Sequence, residues 1–158
     1  MTTENGTPAT GPVLFAYDGS DLAKLAIDEA GQQLGSGREA LVLTVWHPFD
    51  VGFVPASGVR FDAAQISEVK EAAEQTAEEG VGLAEAAGFD ARAATSEAAP
   101  TWQGIVDAAN EQDASLIVLG SHGRTGLSSV LIGSVAEAVA AHSRRSVLIT
   151  HRRNGRRD

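Results

Sequence analysis

The sequence predicts one α/β domain built on an open, all-parallel, five-stranded sheet in the order 3-2-1-4-5, with helices on both faces. Three observations carry that expectation. Short apolar runs alternate with segments of helical periodicity in a chain of 158 residues, a length suited to a single core. The runs at 13–17, 40–46 and 115–120 are continuous rather than alternating, as in strands covered on both faces. The first and fourth runs stop at glycine-containing turns, "DGSD" and "GSHG", where a strand hands over to a loop. Strict strand–helix alternation implies parallel pairing through right-handed crossovers. With the first strand central, three strands walk outward one way and two the other.

Each element has its own local reason. "VLFAY" at 13–17 is a buried strand, and Ser20 is placed to cap the helix that follows. In that helix Leu22, Ala26, Ile27, Ala30 and Leu34 fall near one face, and Gly35 supplies the stop. "ALVLTVW" at 40–46 is the second strand and runs into a Pro/Gly-containing loop ending near Arg60. Residues 63–87 form an acidic, alanine-rich helix weakened by Gly80 and Gly82, with Glu68, Glu71, Glu74, Glu78, Glu79 and Glu85 on its exposed face. "FDARAATSE" at 89–97 alternates and suits a sheet edge, while Pro100 opens a helix through Ile105, Val106 and Ala109. "SLIVLG" at 115–120, a helix at 134–143 and "SVLIT" at 146–150 complete the order.

Composition narrows the function classes. There is no cysteine, which removes disulfides and thiolate chemistry, and no run of 18 apolar residues to span a bilayer. The N-terminus lacks the basic start and apolar centre of a signal peptide, so the expected location is cytoplasmic. Residues 1–11 read as a flexible leader, 12–151 as the domain and 152–158 as a basic tail. Residues 1–143 hold 6 Lys+Arg against 20 Asp+Glu, so the body should repel nucleic acid. Residues 144–158 reverse the balance with 6 Arg, consistent with a solvated terminus or an anionic contact.

In an open α/β sheet a ligand sits beyond the carboxyl ends of the strands where the order reverses. Here those ends carry Asp18-Gly19-Ser20 and Gly120-Ser121-His122-Gly123. Successive backbone N–H groups in a glycine turn converge on an anion, and a helix N-terminus adds unpaired donors and roughly half a positive charge. Gly133 and Ser134 open such a helix; the glycines would supply close approach or positive φ, and Ser134 a cap or a donor to the anion. Arg124 is the only basic residue between Arg92 and Arg144 and lies inside this loop. Spacing alone leaves two readings open, a phosphate loop or a plain turn with an ordinary cap.

The pattern G-x2-G-x9-G-[ST], met by Gly120, Gly123, Gly133 and Ser134, resembles the nucleotide loop of the universal stress protein family. "VLFAYDGS", "VLTVWHP" and "SVLIT" resemble that family's first, second and last strands, so the likeness runs over residues 12–151. The resemblance implies a Rossmann-like domain, usually homodimeric, that binds ATP. It places Ala16, Asp18 and Val45 beside the adenosine and Gly120, Gly123, Gly133 and Ser134 on the phosphates, with Ser121, His122 and Arg124 close by. Ala16 departs mildly from the proline or valine of many relatives. A carboxylate such as Asp18 can also accept ribose hydroxyls or hold Mg2+ through water.

Catalysis has weaker support. The sequence has no G-x4-G-K-[ST] and no G-x-S-x-G, and His47, His122, His142 and His151 lack metal-ligand spacing. His122 fits a backbone-orienting role better than that of a general base. The expectation is therefore an ATP-binding signalling or stress-response module. The alternatives are a slow nucleotide-dependent enzyme, as an ATPase or adenylating activity, and a dimeric interaction protein without ligand. The apolar last strand, with Val147, Leu148 and Ile149, would pair two copies at the sheet edge.

Overall fold

The computed structural model describes residues 10–48, 63–122 and 132–152. Its elements are β1 (Val13–Ala16), α1 (Asp21–Leu34), β2 (Glu39–Trp46), α2 (Ala63–Ala86), β3 (Asp90–Glu97), α3 (Thr101–Glu111), β4 (Leu116–Gly120), α4 (Ser134–His142) and β5 (Ser146–Thr150). The strands form one sheet in the order β3-β2-β1-β4-β5, every pair parallel. This is the expected order, with boundaries within a residue or two of those that apolar periodicity placed. Of the leader, residues 1–9 lie outside the described residues, as do residues 49–62 of the loop that passes Arg60 and the tail from residue 153.

The two-sided burial of the sheet explains the continuous apolar runs. Val13 and Phe15 of β1, Val42 of β2 and Val118 of β4 point to the face covered by Ala23, Ala26, Ile27 and Ala30 of α1 and Ala84 of α2. Leu14, Leu41, Leu43, Ile117 and Leu119 point to the other face, against Ile105 and Ala109 of α3 and Ala136 and Val139 of α4. Each buried Leu, Ile or Phe contributes about 1.5–3 kcal/mol by leaving water. Phe15 and Phe89 add an edge-to-face contact, centroids 5.1 Å apart, that ties the central strand to the residue before β3.

Local chemistry sets the helix that leaves β1. Ser20 is extended at the N-cap of α1 and its Oγ accepts the Ala23 N–H at 3.3 Å, a cap worth about 1 kcal/mol. The helix ends at Gly35, whose φ of 75° stops it. Four residues therefore separate β1 from α1, and Asp18 is held in the short turn between them.

Candidate functional site

The carboxyl ends of β1 and β4 are neighbours, because Val13, Leu14 and Phe15 pair with Leu116, Ile117 and Val118. The strand order reverses between them. At the β1 end, Tyr17 is clamped on both sides: its N–H donates to the Leu43 carbonyl at 2.9 Å, and its carbonyl accepts the Thr44 hydroxyl at 2.8 Å. Asp18 follows directly, with Oδ1 accepting the Ser20 N–H at 2.9 Å. A fixed Tyr17 and a capped α1 thus hold the carboxylate at the mouth of the reversal.

At the β4 end the chain is tied just as firmly. The Ser121 N–H donates to the Thr150 carbonyl at 2.9 Å, and the Ser121 carbonyl accepts the Gly133 N–H at 2.6 Å. Ser121 is buried, with Oγ 3.2 Å from His122 Nδ1. The second tie brings the start of α4 back onto the end of β4. A Cβ on Gly133 would lie 2.7 Å from the Ser121 carbonyl oxygen and 3.4 Å from His122 Cδ2, so this close approach needs glycine. Positive φ plays no part there: Gly133 is the N-cap of α4 with φ −64°. Ser134 is consequently the first helical residue rather than the cap, and it is exposed. Gly120 has a packing reason of its own, since a Cβ there would meet Leu22 of α1 at 2.9–3.0 Å.

The structure therefore assembles Gly120, Ser121, His122, Gly133 and Ser134 at one strand end, with Asp18 at the end of the adjacent strand. Ala16 and Val45 are half-buried on the face packed against α3 and α4. Gly123 and Arg124 lie outside the described residues. The first turn of α4 carries one acid, Glu137, which is exposed. No group of three His, Cys, Asp or Glu suited to a metal ion occurs among the described residues.

Two features beside this region had no sequence signal. The buried Tyr17 hydroxyl donates to Glu79 Oε1 of α2 at 2.7 Å, and Lys24 of α1 reaches the same oxygen at 3.2 Å. Burial, followed by the hydrogen bond and charge of Glu79, pushes the tyrosine hydroxyl far above its ordinary range. The bonds from Tyr17 and Lys24 hold the Glu79 carboxyl below its own. Because 62 residues separate Tyr17 from Glu79, no local pattern joins them; the nearest clue is Gly80, where a Cβ would meet Val42 and Tyr17 at 2.6 and 2.8 Å. The second feature is Thr150, paired with Gly120 across the β4–β5 ladder, whose buried hydroxyl has no hydrogen-bond partner among the described residues.

The universal stress protein family model matches residues 10–151 of the chain. The chain belongs to the universal stress protein family. A universal stress protein of Methanocaldococcus jannaschii is 33% identical over 150 residues, covering 92% of the chain and 84% of that protein. One of Mycobacterium tuberculosis strain H37Rv is 33% identical over 154 residues, covering 90% of the chain but 46% of its own length. The chain thus spans about half the length of the mycobacterial universal stress proteins it matches. Solved universal stress proteins share the fold. One in complex with cAMP superposes with a TM-score of 0.65 at 28% identity, over 90% of the chain and 98% of that structure. One from Archaeoglobus fulgidus in complex with dAMP superposes at 0.57 with 25% identity, over 89% and 98%. No helix among the described residues of this universal stress protein is long and apolar enough to cross a membrane.

Proposed function

We propose that this universal stress protein is an ATP-binding module of signalling or stress response, with the nucleotide held between the end of β1 and the turn from Gly120 to Ser134. The observation that carries the reading is the closure of that turn. The Gly133 N–H bond to the Ser121 carbonyl brings the N-terminus of α4 to the point where the strand order reverses. Free N–H groups in the first turn of α4 would face the phosphates, aided by Gly120, Ser121, His122 and Ser134, and by Gly123 and Arg124 from the part of the loop outside the described residues. Ala16 and Val45 would flank the adenine, while Asp18 would accept the ribose hydroxyls and, with Mg2+ present, hold the ion through water. The adenine nucleotides bound by two solved family members support the ligand class.

The module works as a cytoplasmic homodimer. β5 is an edge strand whose Val147, Leu148 and Ile149 remain only half-buried in a single copy, and pairing or packing two such strands about a twofold axis would cover them. Output then depends on occupancy of the site rather than on turnover. Denaturing the purified protein and identifying the released small molecule tests the ligand: an adenine nucleotide supports the reading, and a nucleotide-free protein that does not take up added ATP removes it.

A further inference from the structure

The hydroxyl of Ser121 and the ring of His122 form a contact whose direction decides what the ring offers outward. Ser121 has 3% exposure, and the sole partner of its hydroxyl among the described residues is His122 Nδ1 at 3.2 Å. Its backbone is already committed, the N–H to Thr150 and the carbonyl to Gly133. If a protonated Nδ1 donated to the serine, the serine's own proton would be buried with no acceptor among the described residues. If the serine donates to a bare Nδ1, only a spare lone pair is left over. An unpaired buried donor is the costlier outcome, which favours the serine as the donor.

We propose that Ser121 is a positioning residue: its hydroxyl donates to His122 Nδ1, holds the neutral ring in the Nε2–H form, and makes His122 a hydrogen-bond donor toward an anion at the start of α4. The inference rests on the nucleotide reading for its ligand and on geometry for its tautomer. The ring carbon bonded to Nε2, Cδ2, lies 3.4 Å from the position of a Cβ on Gly133, so that edge of the ring faces the N-cap of α4. Nε2 itself has no hydrogen-bond partner among the described residues. With the opposite tautomer, a bare Nε2 would turn a lone pair toward the phosphate and repel it. Fixing the tautomer through a neighbouring group is a general means of deciding what an imidazole presents.

Long-range 1H–15N NMR of the ring nitrogens in ligand-free protein, with His122 assigned through His122→Gln, reads the tautomer without nucleotide. The expected wild-type spectrum has an unprotonated Nδ1 and a protonated Nε2, retained in Ser121→Thr and replaced by a tautomer mixture in Ser121→Ala. A wild-type ring protonated at Nδ1, or an unchanged tautomer in Ser121→Ala, overturns the proposal. ATP titrations then test the donor role: Ser121→Ala and His122→Gln should each weaken binding about tenfold, with Ser121→Thr close to wild type. Wild-type affinity in Ser121→Ala despite a mixed tautomer overturns that role. If wild-type protein binds no ATP, the functional reading fails and the donor role fails with it, while the NMR result still decides whether Ser121 sets the ring.

Discussion

The Gly133 N–H donates to the carbonyl of Ser121 at 2.6 Å, which fixes the first turn of α4 against the last residues of β4. A side chain at 133 has no room, because its Cβ would sit 2.7 Å from that same oxygen. Gly133→Ala is therefore expected to lower stability by about 1–3 kcal/mol, through loss of the bond or displacement of the helix start. In a chain of this size that corresponds to roughly 2–4 °C in Tm per kcal/mol. Thermal unfolding checks it; a wild-type Tm would show that the approach is not tight in solution.

Thr150 predicts a change of the opposite sign. Its hydroxyl is buried and has no partner among the described residues, and valine has nearly the same shape. An unsatisfied buried polar group costs about 1–3 kcal/mol, so Thr150→Val should raise Tm by a few degrees. A fall would mean that the hydroxyl has a partner when the protein is in solution.

Tyr17 is the only tyrosine in the chain, so ultraviolet absorbance follows its ionisation alone. Burial and Glu79 raise its folded-state pKa, so the stabilisation is complete below the ordinary tyrosine value of about 10 and is lost as pH rises from there toward the folded value. In the folded protein the phenolate should not appear near its ordinary pH; it should appear together with alkaline unfolding. A reversible tyrosinate titration at the ordinary value, with the fold intact, contradicts the buried contact.

Glu79 works at the acid end. Its folded-state pKa is lowered, so its contribution is present above the ordinary carboxylate range and lost as pH falls through the folded value. The side chain is 52% exposed, which limits the effect to about 0–1 kcal/mol. Glu79→Gln should flatten the acid limb of a stability–pH curve by no more than that, and a larger loss would mean that Glu79 holds more than Tyr17 and Lys24.

The order of the elements was legible because burial on both faces of β1, β2 and β4 leaves uninterrupted apolar runs, and because Ser20 and Gly35 mark helix ends by local chemistry. The location of the candidate site followed from strand order and two strand ends. What local pattern could not convey was contact between distant segments. Gly120 reads as part of a loop signal, yet a Cβ there would strike Leu22, almost a hundred positions earlier in the chain. Gly133 reads as a residue for positive φ or close approach, and only the approach applies. Ser134 reads as a cap, but the extended residue before the helix is Gly133. The Tyr17–Glu79 bond and the burial of the Thr150 hydroxyl depend on how α2 and β5 dock, which periodicity does not specify.

Assembly follows from the edge position of β5. Light scattering across micromolar concentrations should give twice the chain mass, through burial of Val147, Leu148 and Ile149 between copies. A monomer mass throughout that range removes the proposed dimer.

Calorimetric titration of ATP into wild-type protein and Asp18→Asn tests the central claim most directly. Asparagine keeps an oxygen for the Ser20 N–H and removes the charge, so the turn into α1 should survive. The account predicts saturable binding of ATP to wild type, weakened about tenfold or more in a variant that melts like wild type, as loss of a hydrogen bond to a charged group requires. No binding to wild type, or equal affinity in the folded variant, would contradict a nucleotide held between the ends of β1 and β4.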